Sequence, residues 1–316
     1  MQKAELAWQS GDAPDAPEFN APVHPLLAAA IAEALPSLGS NASVTALRKG
    51  SDASGRYRLK TDKGNWFVRI SARAGYPDLE NAIVEFLNRE GVPVAVPAVP
   101  SAGFDWQGKT YRLDAREMIE ARHFDGSAAD IARTKETVSA CHDALRRFPY
   151  SERVRDLSLN RFTRIEKMRL QLLEIPDLEF LGAASQWANA HRDWIEGVLE
   201  RFSADFAGRP GAQILHGEIH PGNVLFRKSD NAAVLIDFEE APVTFAPPDW
   251  DHAYLAQRFG MTEKPSEALT AMMRDIAGCL LCIAARLAFE EGVETPITEF
   301  EKFHRLDLEA LEMGAT

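Results

Sequence analysis

The chain has 316 residues, of which 46% are hydrophobic, 47 are acidic and 35 are basic, so its formal net charge is −12. This length and composition predict one large or two modest globular domains with buried cores. The acidic balance argues against a general nucleic-acid-binding protein, because phosphate backbones require a basic face, and it is compatible with a cationic small-molecule substrate.

The ends and the apolar runs of the sequence predict a soluble protein of the cytoplasm. The first residues, 1–20, lack the basic start and the continuous apolar core of a secretory signal. The most apolar helical run, Ile276 to Phe289, is interrupted by Gly278 and Arg286, so no stretch predicts a membrane span. An odd count of cysteines, 3, favours a reducing compartment over a disulfide framework.

The first third of the chain predicts a helix followed by paired strands. Residues 1–22 are rich in Ala, Pro and Asp and are interpreted as a loosely structured arm. His24 to Leu38 carries apolar residues near helical spacing. Arg56 to Thr61 and Asn65 to Ser71 are strand-like and flank the turn signal Asp62-Lys63-Gly64, which predicts a β-hairpin.

Helices dominate the remainder of the sequence. Pro77 to Glu90 predicts a helix that Gly91 ends, and Lys109 to Ile119 predicts a further strand. Apolar residues at helical spacing predict more helices over Ala128 to Phe148, about 158–174, Ser185 to Phe206, and from Ser266 onwards.

A strand-rich first third joined to a helix-rich remainder predicts an α+β fold with two lobes. The predicted boundaries are an arm over residues 1–22, an N-lobe over 23–118 and a C-lobe over 119–316.

The segment from Ile214 to Ala241 carries the chemistry of the sequence. Two short apolar runs in it predict adjacent strands, which would present Asn223 and Asp237 at neighbouring ends. A carboxamide oxygen and a carboxylate form a hard-oxygen pair suited to Mg²⁺, which takes further ligands from nucleotide phosphates and water. Glu218, on the loop before Asn223, is placed to accept a proton from an attacking hydroxyl group.

This segment resembles the catalytic and metal-binding region of the aminoglycoside phosphotransferase, choline kinase and homoserine kinase group. The pattern of that group is His-Gly-Asp-x-x-x-x-Asn followed by Ile-Asp-Phe. Five positions match, namely His216, Gly217, Asn223, Asp237 and Phe238. Glu218 departs from the pattern, because the group has Asp there. The resemblance implies a protein-kinase-like fold with a small β-rich, nucleotide-binding N-lobe and a larger, mainly helical C-lobe that carries catalysis and substrate binding.

The resemblance also implies roles in the N-lobe. The loop that ends at Ser54 and Gly55 would cover the nucleotide phosphates. Arg69 would face the α- and β-phosphates as a permanently charged, forked ligand. Glu80, on the following helix, would pair with Arg69 and hold it in place, with Glu85 as the competing carboxylate.

Further matches extend the resemblance toward the C-terminus. The backbone of Glu117 and Ile119, in the stretch between the lobes, would pair with adenine. Glu239 is a candidate ligand for a second metal ion. Asp251 would support the catalytic loop, and His142 would play a structural part.

The activity implied by the resemblance is ATP- and Mg²⁺-dependent transfer of the γ-phosphoryl group to a hydroxyl group of a small molecule. The acceptor stays open among an aminoglycoside, choline or ethanolamine, homoserine and a sugar. The sequence does not distinguish ATP from GTP as the donor, and it does not predict the oligomeric state. The alternative is a nucleotide-binding, kinase-like protein with weak or no transferase activity, because Glu218 replaces the Asp of the group. A protein kinase is disfavoured, since the sequence lacks the His-Arg-Asp, Asp-Phe-Gly and Ala-Pro-Glu landmarks.

Overall fold

A computed structural model describes residues 21–49, 53–72, 75–158, 208–260, 266 and 269–270 of the chain. The helices predicted over about 158–174 and 185–206 lie outside these residues except for Ser158, as do most of the arm and nearly all of the segment from Ser266 onwards. Within the described part, no helix has the length and apolar character needed to cross a membrane.

The first half of the chain forms a six-stranded antiparallel sheet in the order β1-β2-β3-β4-β6-β5. Its strands are β1 (Ala21–Pro22), β2 (Ser43–Lys49), β3 (Gly55–Thr61), β4 (Gly64–Ser71), β5 (Ala102–Trp106) and β6 (Lys109–Glu117). The predicted hairpin is confirmed: β3 and β4 pair from Gly55 opposite Ile70 to Thr61 opposite Gly64, so only Asp62 and Lys63 form the turn.

Side-chain alternation gives this sheet one apolar and one polar face. Tyr57, Leu59, Val68 and Ile70 lie on the apolar face and are buried. They pack in one core with helix α1 (Pro25–Ala34), which continues into a 3₁₀ turn (Pro36–Leu38) and contributes apolar residues at helical spacing, namely Leu27, Ile31 and Leu35.

Helix α2 (Pro77–Arg89) follows β4 and brings an acidic side chain into the protein interior. Pro77 occupies the first turn, where its missing N–H costs no hydrogen bond. The helix buries Ile83, Val84 and Leu87, and Glu80 is spaced three, four and seven residues before them on the same stripe. The chain leaves the helix through Gly91, whose φ of +82° suits glycine.

The next described elements are α3 (Ala128–Leu145), two small sheets and α4 (Asp249–Arg258). Ser127 caps α3, since its hydroxyl accepts a hydrogen bond from the Asp130 amide. One small sheet has the order β10-β9-β7 and the other pairs β11 with β8. Their strands are β7 (Ala121–Arg122), β8 (Gln213–Ile214), β9 (Val224–Arg227), β10 (Ala233–Leu235) and β11 (Phe245–Ala246).

The described residues fall into two compact units. One contains the described residues up to Ala144 together with Gly222–Glu239, and the other contains those of Leu145–Pro221 and from Glu240 onwards. The first unit continues past residue 118 because β7 pairs with β9 and the α3 hydroxyl of Thr137 donates to the carbonyl of Ala233 in β10. The lobe boundaries given by the sequence, 23–118 and 119–316, stay a prediction.

Candidate functional site

A cavity of about 250 Å³ lies within the unit that contains the six-stranded sheet. One part of its wall is apolar and comes from β2, β4, the segment after β6, and the β9-β10 hairpin. Those residues are Leu47, Phe67, Met118, Ile119, Leu225 and Ile236. The other part is polar and includes Arg56, Arg58, Arg69, Arg116, Glu117, His123, Asn223 and Asp237.

The strand register explains how the arginines reach this cavity. Arg56 lies opposite Arg69, which in turn lies opposite Asp114 on β6. Because cross-strand partners project from the same face, this row of side chains lies on the polar face of the sheet. The pairing of β2 with β3 shifts between Ala46 and Arg48, an irregularity at Leu47, which lines the cavity.

The β9-β10 hairpin places Asn223 and Asp237 at one end, as the sequence predicts. Leu235 pairs with Val224, and the Ile236 amide donates to the carbonyl of Asn223 at 3.0 Å. Asp237 has φ of +62°, a left-handed conformation that is uncommon for residues other than glycine. Backbone strain of this kind is concentrated at functional sites.

Arg69 is the centre of a charged network. Its Nη1 donates to Asp237 Oδ1 at 2.5 Å and to Glu239 Oε2 at 3.2 Å. Its Nε and Nη2 lie 3.4 and 3.2 Å from Asp114 Oδ2, and Nη2 lies 3.5 Å from Glu80 Oε1. Burial alone disfavours the charge, but the carboxylates, first of all Asp237, outweigh burial and raise the pKa of Arg69. The guanidinium therefore stays protonated.

Glu80 is fully buried and is shared among three arginines. Arg112 Nη2 donates to Glu80 Oε2 at 2.5 Å and Arg116 Nη2 donates to Oε1 at 2.7 Å. Arg116 Nη1 also donates to the Ala95 carbonyl at 2.5 Å, and burial lowers the pKa of this guanidinium. The competing carboxylate, Glu85, is exposed on α2 and takes no part in the network.

Sequence reasoning missed three members of this network, Arg112, Asp114 and Arg116, all of which are buried on β6. They occupy alternate positions of one strand, which the letters YRLDARE show directly. That alternation indicates one shared face, because side chains at i, i+2 and i+4 project from the same side of a strand. That this face is buried depends on the pairing of β6 with both β4 and β5, which only the structure shows.

The stretch predicted to pair with adenine lies at the cavity. Glu117 and Ile119 line the cavity. Between them, the Met118 amide donates to the Asn65 carbonyl, and the Lys228 amide donates to the Glu120 carbonyl.

The loop predicted to cover the phosphates is described only at its end. Gly55 begins β3 and Ser54 precedes it, whereas residues 50–52 of the same loop lie outside the described residues. The nucleotide-binding roles of Glu117, Ile119, Ser54 and Gly55 stay predictions.

The loop that carries Glu218 belongs to the second unit and is held by Asp251. This fully buried carboxylate accepts hydrogen bonds from the Gly217 amide at 2.9 Å and the His216 amide at 3.1 Å. Trp250 Nε1 donates to the Gly217 carbonyl at 3.2 Å, and the Glu218 amide donates to His216 Nδ1 at 3.3 Å. Asp251 thus supports the loop as the sequence suggested.

The Glu218 carboxylate is 36% exposed, with Oε1 3.9 Å from Nε2 of His220. It is therefore open to a ligand while its backbone is fixed. The other predicted structural residue, His142, is buried in α3.

The residues at the end of the β9-β10 hairpin suit a hard cation in their chemistry. Asn223 supplies a carboxamide oxygen and Asp237 a carboxylate, and both line the cavity. Among the described residues, no group of three or more His, Cys, Asp and Glu side chains forms a metal cluster. Mg²⁺ does not require such a cage, since it binds through one or two protein carboxylates together with water and phosphate oxygens.

The sequence matches the profile of one protein family, and the structure is similar to solved structures of one fold. Residues 43–278 match the sequence profile described as phosphotransferase enzyme family, APH. A search of curated protein sequences finds no match.

Among solved structures, the aminoglycoside phosphotransferase APH(4)-Ia is similar with a TM-score of 0.61 at 11% identity, covering 91% of this chain and 98% of that one. A microcompartment-associated aminopropanol kinase gives a TM-score of 0.55 at 16% identity, covering 90% and 97%. A complex of an APH(2″) enzyme with GDP and kanamycin gives a TM-score of 0.53 at 15% identity, covering 91% and 97%. At these identities the similarity shows the fold, and the predicted bilobal, protein-kinase-like α+β fold is confirmed.

Proposed function

The chain belongs to the phosphotransferase enzyme family of small-molecule kinases, and from this premise we propose that it transfers the γ-phosphoryl group of ATP to a hydroxyl group of a small molecule in the cytoplasm. The observation that carries the proposal is the cavity, which combines an apolar wall with a cluster of arginines and the pair Asn223 and Asp237. A purine needs the first surface, and a triphosphate with its metal ion needs the second.

The apolar wall supports binding of the base. Leu47 and Phe67 belong to the large sheet, and Leu225 and Ile236 belong to or follow the β9-β10 hairpin. Two sheets thus contribute apolar side chains that can cover the faces of a flat ring. The backbone of Glu117 to Ile119 at the edge of the cavity would supply polar contacts to the base.

The polar wall supports binding of the phosphates. Arg69 stays charged, and its Nη1, which faces Asp237 and Glu239, is directed to form charge-assisted hydrogen bonds to phosphate oxygens. Asn223 and Asp237 would hold Mg²⁺, with Glu239 as a candidate ligand for a second ion. Mg²⁺ held by these residues would supply positive charge that offsets the negative charge developing on the transferred phosphoryl group.

The acceptor hydroxyl would be oriented by Glu218. As the acceptor oxygen forms its bond to the γ-phosphorus, the bond from that phosphorus to the bridging oxygen breaks and ADP leaves with both electrons. The acceptor proton would pass to the Glu218 carboxylate. Catalysis would rest mainly on positioning and on charge neutralisation.

The proposed acceptor is a small hydroxyl compound that carries a cationic amine. The excess of 47 acidic over 35 basic residues is compatible with such a substrate. Similar structures include an aminopropanol kinase and enzymes named for aminoglycosides. Aminoglycosides, aminopropanol, choline, ethanolamine, homoserine and neutral sugars therefore form the set to be tested.

The deciding experiment incubates the protein with Mg-ATP and this set and identifies phosphorylated products by mass. We expect ADP release that depends on both Mg²⁺ and acceptor, and no product with Asp237→Asn. Binding of Mg-ATP without transfer to any acceptor would contradict the transferase proposal. Among the described residues, only the replacement of the family Asp by Glu218 favours that alternative.

A further inference from the structure

The geometry points to Asp114 on β6, and not Glu80 on α2, as the residue that orients Arg69 toward the nucleotide phosphates. This inference rests on the proposed function for the role of Arg69. Asp114 would be a positioning residue, because it acts on the ligand only through the guanidinium that it holds.

The backbone itself brings Asp114 to Arg69. The two residues lie directly opposite each other in the antiparallel pairing of β4 and β6. Side chains at such positions have their Cβ atoms about 4.5–5.5 Å apart, so the contact follows from strand register and needs no adjustment of a helix. Nε and Nη2, two donors on one edge of the guanidinium, both face Asp114 Oδ2 at 3.4 and 3.2 Å.

This side-on contact leaves Nη1 of Arg69 directed toward Asp237 and Glu239, the proposed metal ligands. Nη1 is the atom that contacts Asp237 at 2.5 Å and Glu239 at 3.2 Å. A planar guanidinium has a fixed fork of donors, so fixing one edge also fixes the direction of Nη1.

Glu80 is engaged elsewhere at shorter distances. Arg112 and Arg116 donate to its two oxygens at 2.5 and 2.7 Å, whereas Arg69 lies 3.5 Å away. Glu80 therefore mainly compensates the charges of the two β6 arginines, which would otherwise be buried without a full counter-charge.

Asp114 is itself held firmly enough to serve as a reference point. Its side chain is only 5% exposed. Arg112 Nε lies 2.9 Å from Oδ1 and 2.8 Å from Oδ2, so Asp114 is shared between Arg112 and Arg69. Oδ1 also accepts from the Ser101 hydroxyl, which in turn accepts from Asn81 Nδ2 at 3.1 Å. These contacts come from α2, β6 and the segment before β5, so they fix the carboxylate from several directions.

Nucleotide binding and turnover should depend on Asp114 only when position 69 is an arginine. A lysine ammonium is a single point of charge that does not need a carboxylate along a second edge. Arg69→Lys should therefore release the site from Asp114, whereas the parent should depend on it.

The test is a double-mutant cycle on the full chain with Asp114→Asn, Arg69→Lys and both together, and with Asp105→Asn as the matched control. Asp105 is an exposed carboxylate on the neighbouring strand that accepts from Thr110 Oγ1 at 2.6 Å. The measurements are kcat and KM for ATP, the Kd for Mg-ATP, and urea unfolding of each variant.

We expect Asp114→Asn to lower kcat/KM for ATP about 10- to 100-fold in the parent, because a guanidinium free to rotate is misplaced by about 1 Å. In the Arg69→Lys background the same change should cost no more than about twofold, the range of uncoupled sites. The control should behave as the parent. Equal losses in both backgrounds, or no loss in the parent, would overturn the inference.

The free energies of unfolding of these variants test the contact between Arg69 and Asp114 independently of any catalytic activity. The coupling between positions 69 and 114 in urea should exceed that between 69 and 80, measured with Glu80→Gln. A parent that binds no Mg-ATP contradicts the proposed function, and the unfolding cycles then still decide the inference. A larger coupling between 69 and 80 overturns it whether or not nucleotide binds.

Discussion

Asp237 has three features that suit the metal-binding role proposed for it. It lies just after the β9-β10 pair, it lines the cavity, and its backbone is left-handed, with φ of +62°. Its contact with Arg69 Nη1 at 2.5 Å orients the carboxylate toward the cationic part of the cavity.

Asp237→Asn should abolish Mg²⁺-dependent nucleotide binding or turnover while largely preserving the fold. The change removes an anionic hard ligand at nearly constant volume. Asn223→Ala should weaken the same property. Titrating Mg²⁺ at fixed ATP by calorimetry, with circular dichroism to verify folding, measures the effect. Unchanged magnesium dependence in both variants would refute the metal assignment.

Glu218 is the position at which this chain departs from the family pattern, and substitutions there show whether the longer side chain is functional. Its carboxylate stands one methylene farther from the backbone than that of an aspartate, and a misplacement of about 1 Å can cost on the order of a hundredfold in rate. If the site is adapted to the longer side chain, Glu218→Gln should lower turnover steeply with little change in ATP affinity. Glu218→Asp should then also be slower than the parent.

Acceptor-dependent ADP release from the parent and both variants decides this point. Full activity of Glu218→Gln would remove the carboxylate from the mechanism. A nearly inactive parent that gains activity as Glu218→Asp would show instead a site that has lost its original geometry.

Among the helices and strands, the sequence predicts those that depend on a local pattern of residues. The β3-β4 hairpin follows from alternation around a turn signal, and helix α2 follows from a proline at its start and a glycine after its end. The phase of α2 even separates Glu80 from Glu85, because only Glu80 shares a stripe with the buried Ile83, Val84 and Leu87.

The burial and the partners of the charged residues on β6 could not be predicted from a local pattern. Whether Arg112, Asp114 and Arg116 meet solvent or one another depends on which strand pairs with β6 and on where α2 packs. Those are long-range facts that a single sequence does not contain. The irregularity at Leu47 in β2 is likewise visible only once β3 provides the register.

The loop before Glu218 depends on a glycine that no other residue can replace at low cost. Gly217 has φ of +89°, and a Cβ there would stand 2.5 Å from Thr244 Oγ1 and 3.2 Å from Glu240 Cβ. Gly217→Ala should therefore displace the loop and lower turnover by an order of magnitude or more, with Mg-ATP affinity less affected.

Gly211→Ala is the matched control for this prediction. Gly211 also has positive φ, +78°, but a Cβ there meets nothing within 4 Å. It should show only the cost of the left-handed backbone, about 1–2 kcal/mol of stability, with turnover preserved. Steady-state kinetics with thermal unfolding compares the two. Equal activity of both variants would mean that the close approach to Thr244 has no part in positioning the loop.

The cavity brings four arginines together, and carboxylates contact at least two of them. Arg56, Arg58, Arg69 and Arg116 line it together, in a chain whose formal net charge is −12. Glu80, Asp114, Asp237 and Glu239 compensate Arg69 and Arg116, so the folded state holds these cations without a bound anion. A polyanionic ligand that binds only the folded state would stabilise it further.

Mg-ATP at 100 times its Kd should raise the free energy of unfolding by about 2.7 kcal/mol, because it binds only the folded state. In a protein of this size the gain corresponds to a rise of a few degrees in the unfolding midpoint. ATP with a chelator should give a smaller shift, and Asp237→Asn should lose the difference between the two conditions. Differential scanning fluorimetry measures all four combinations. A midpoint that moves equally with and without Mg²⁺ would mean that the arginines bind the triphosphate unaided and that Asn223 and Asp237 do not hold a metal ion.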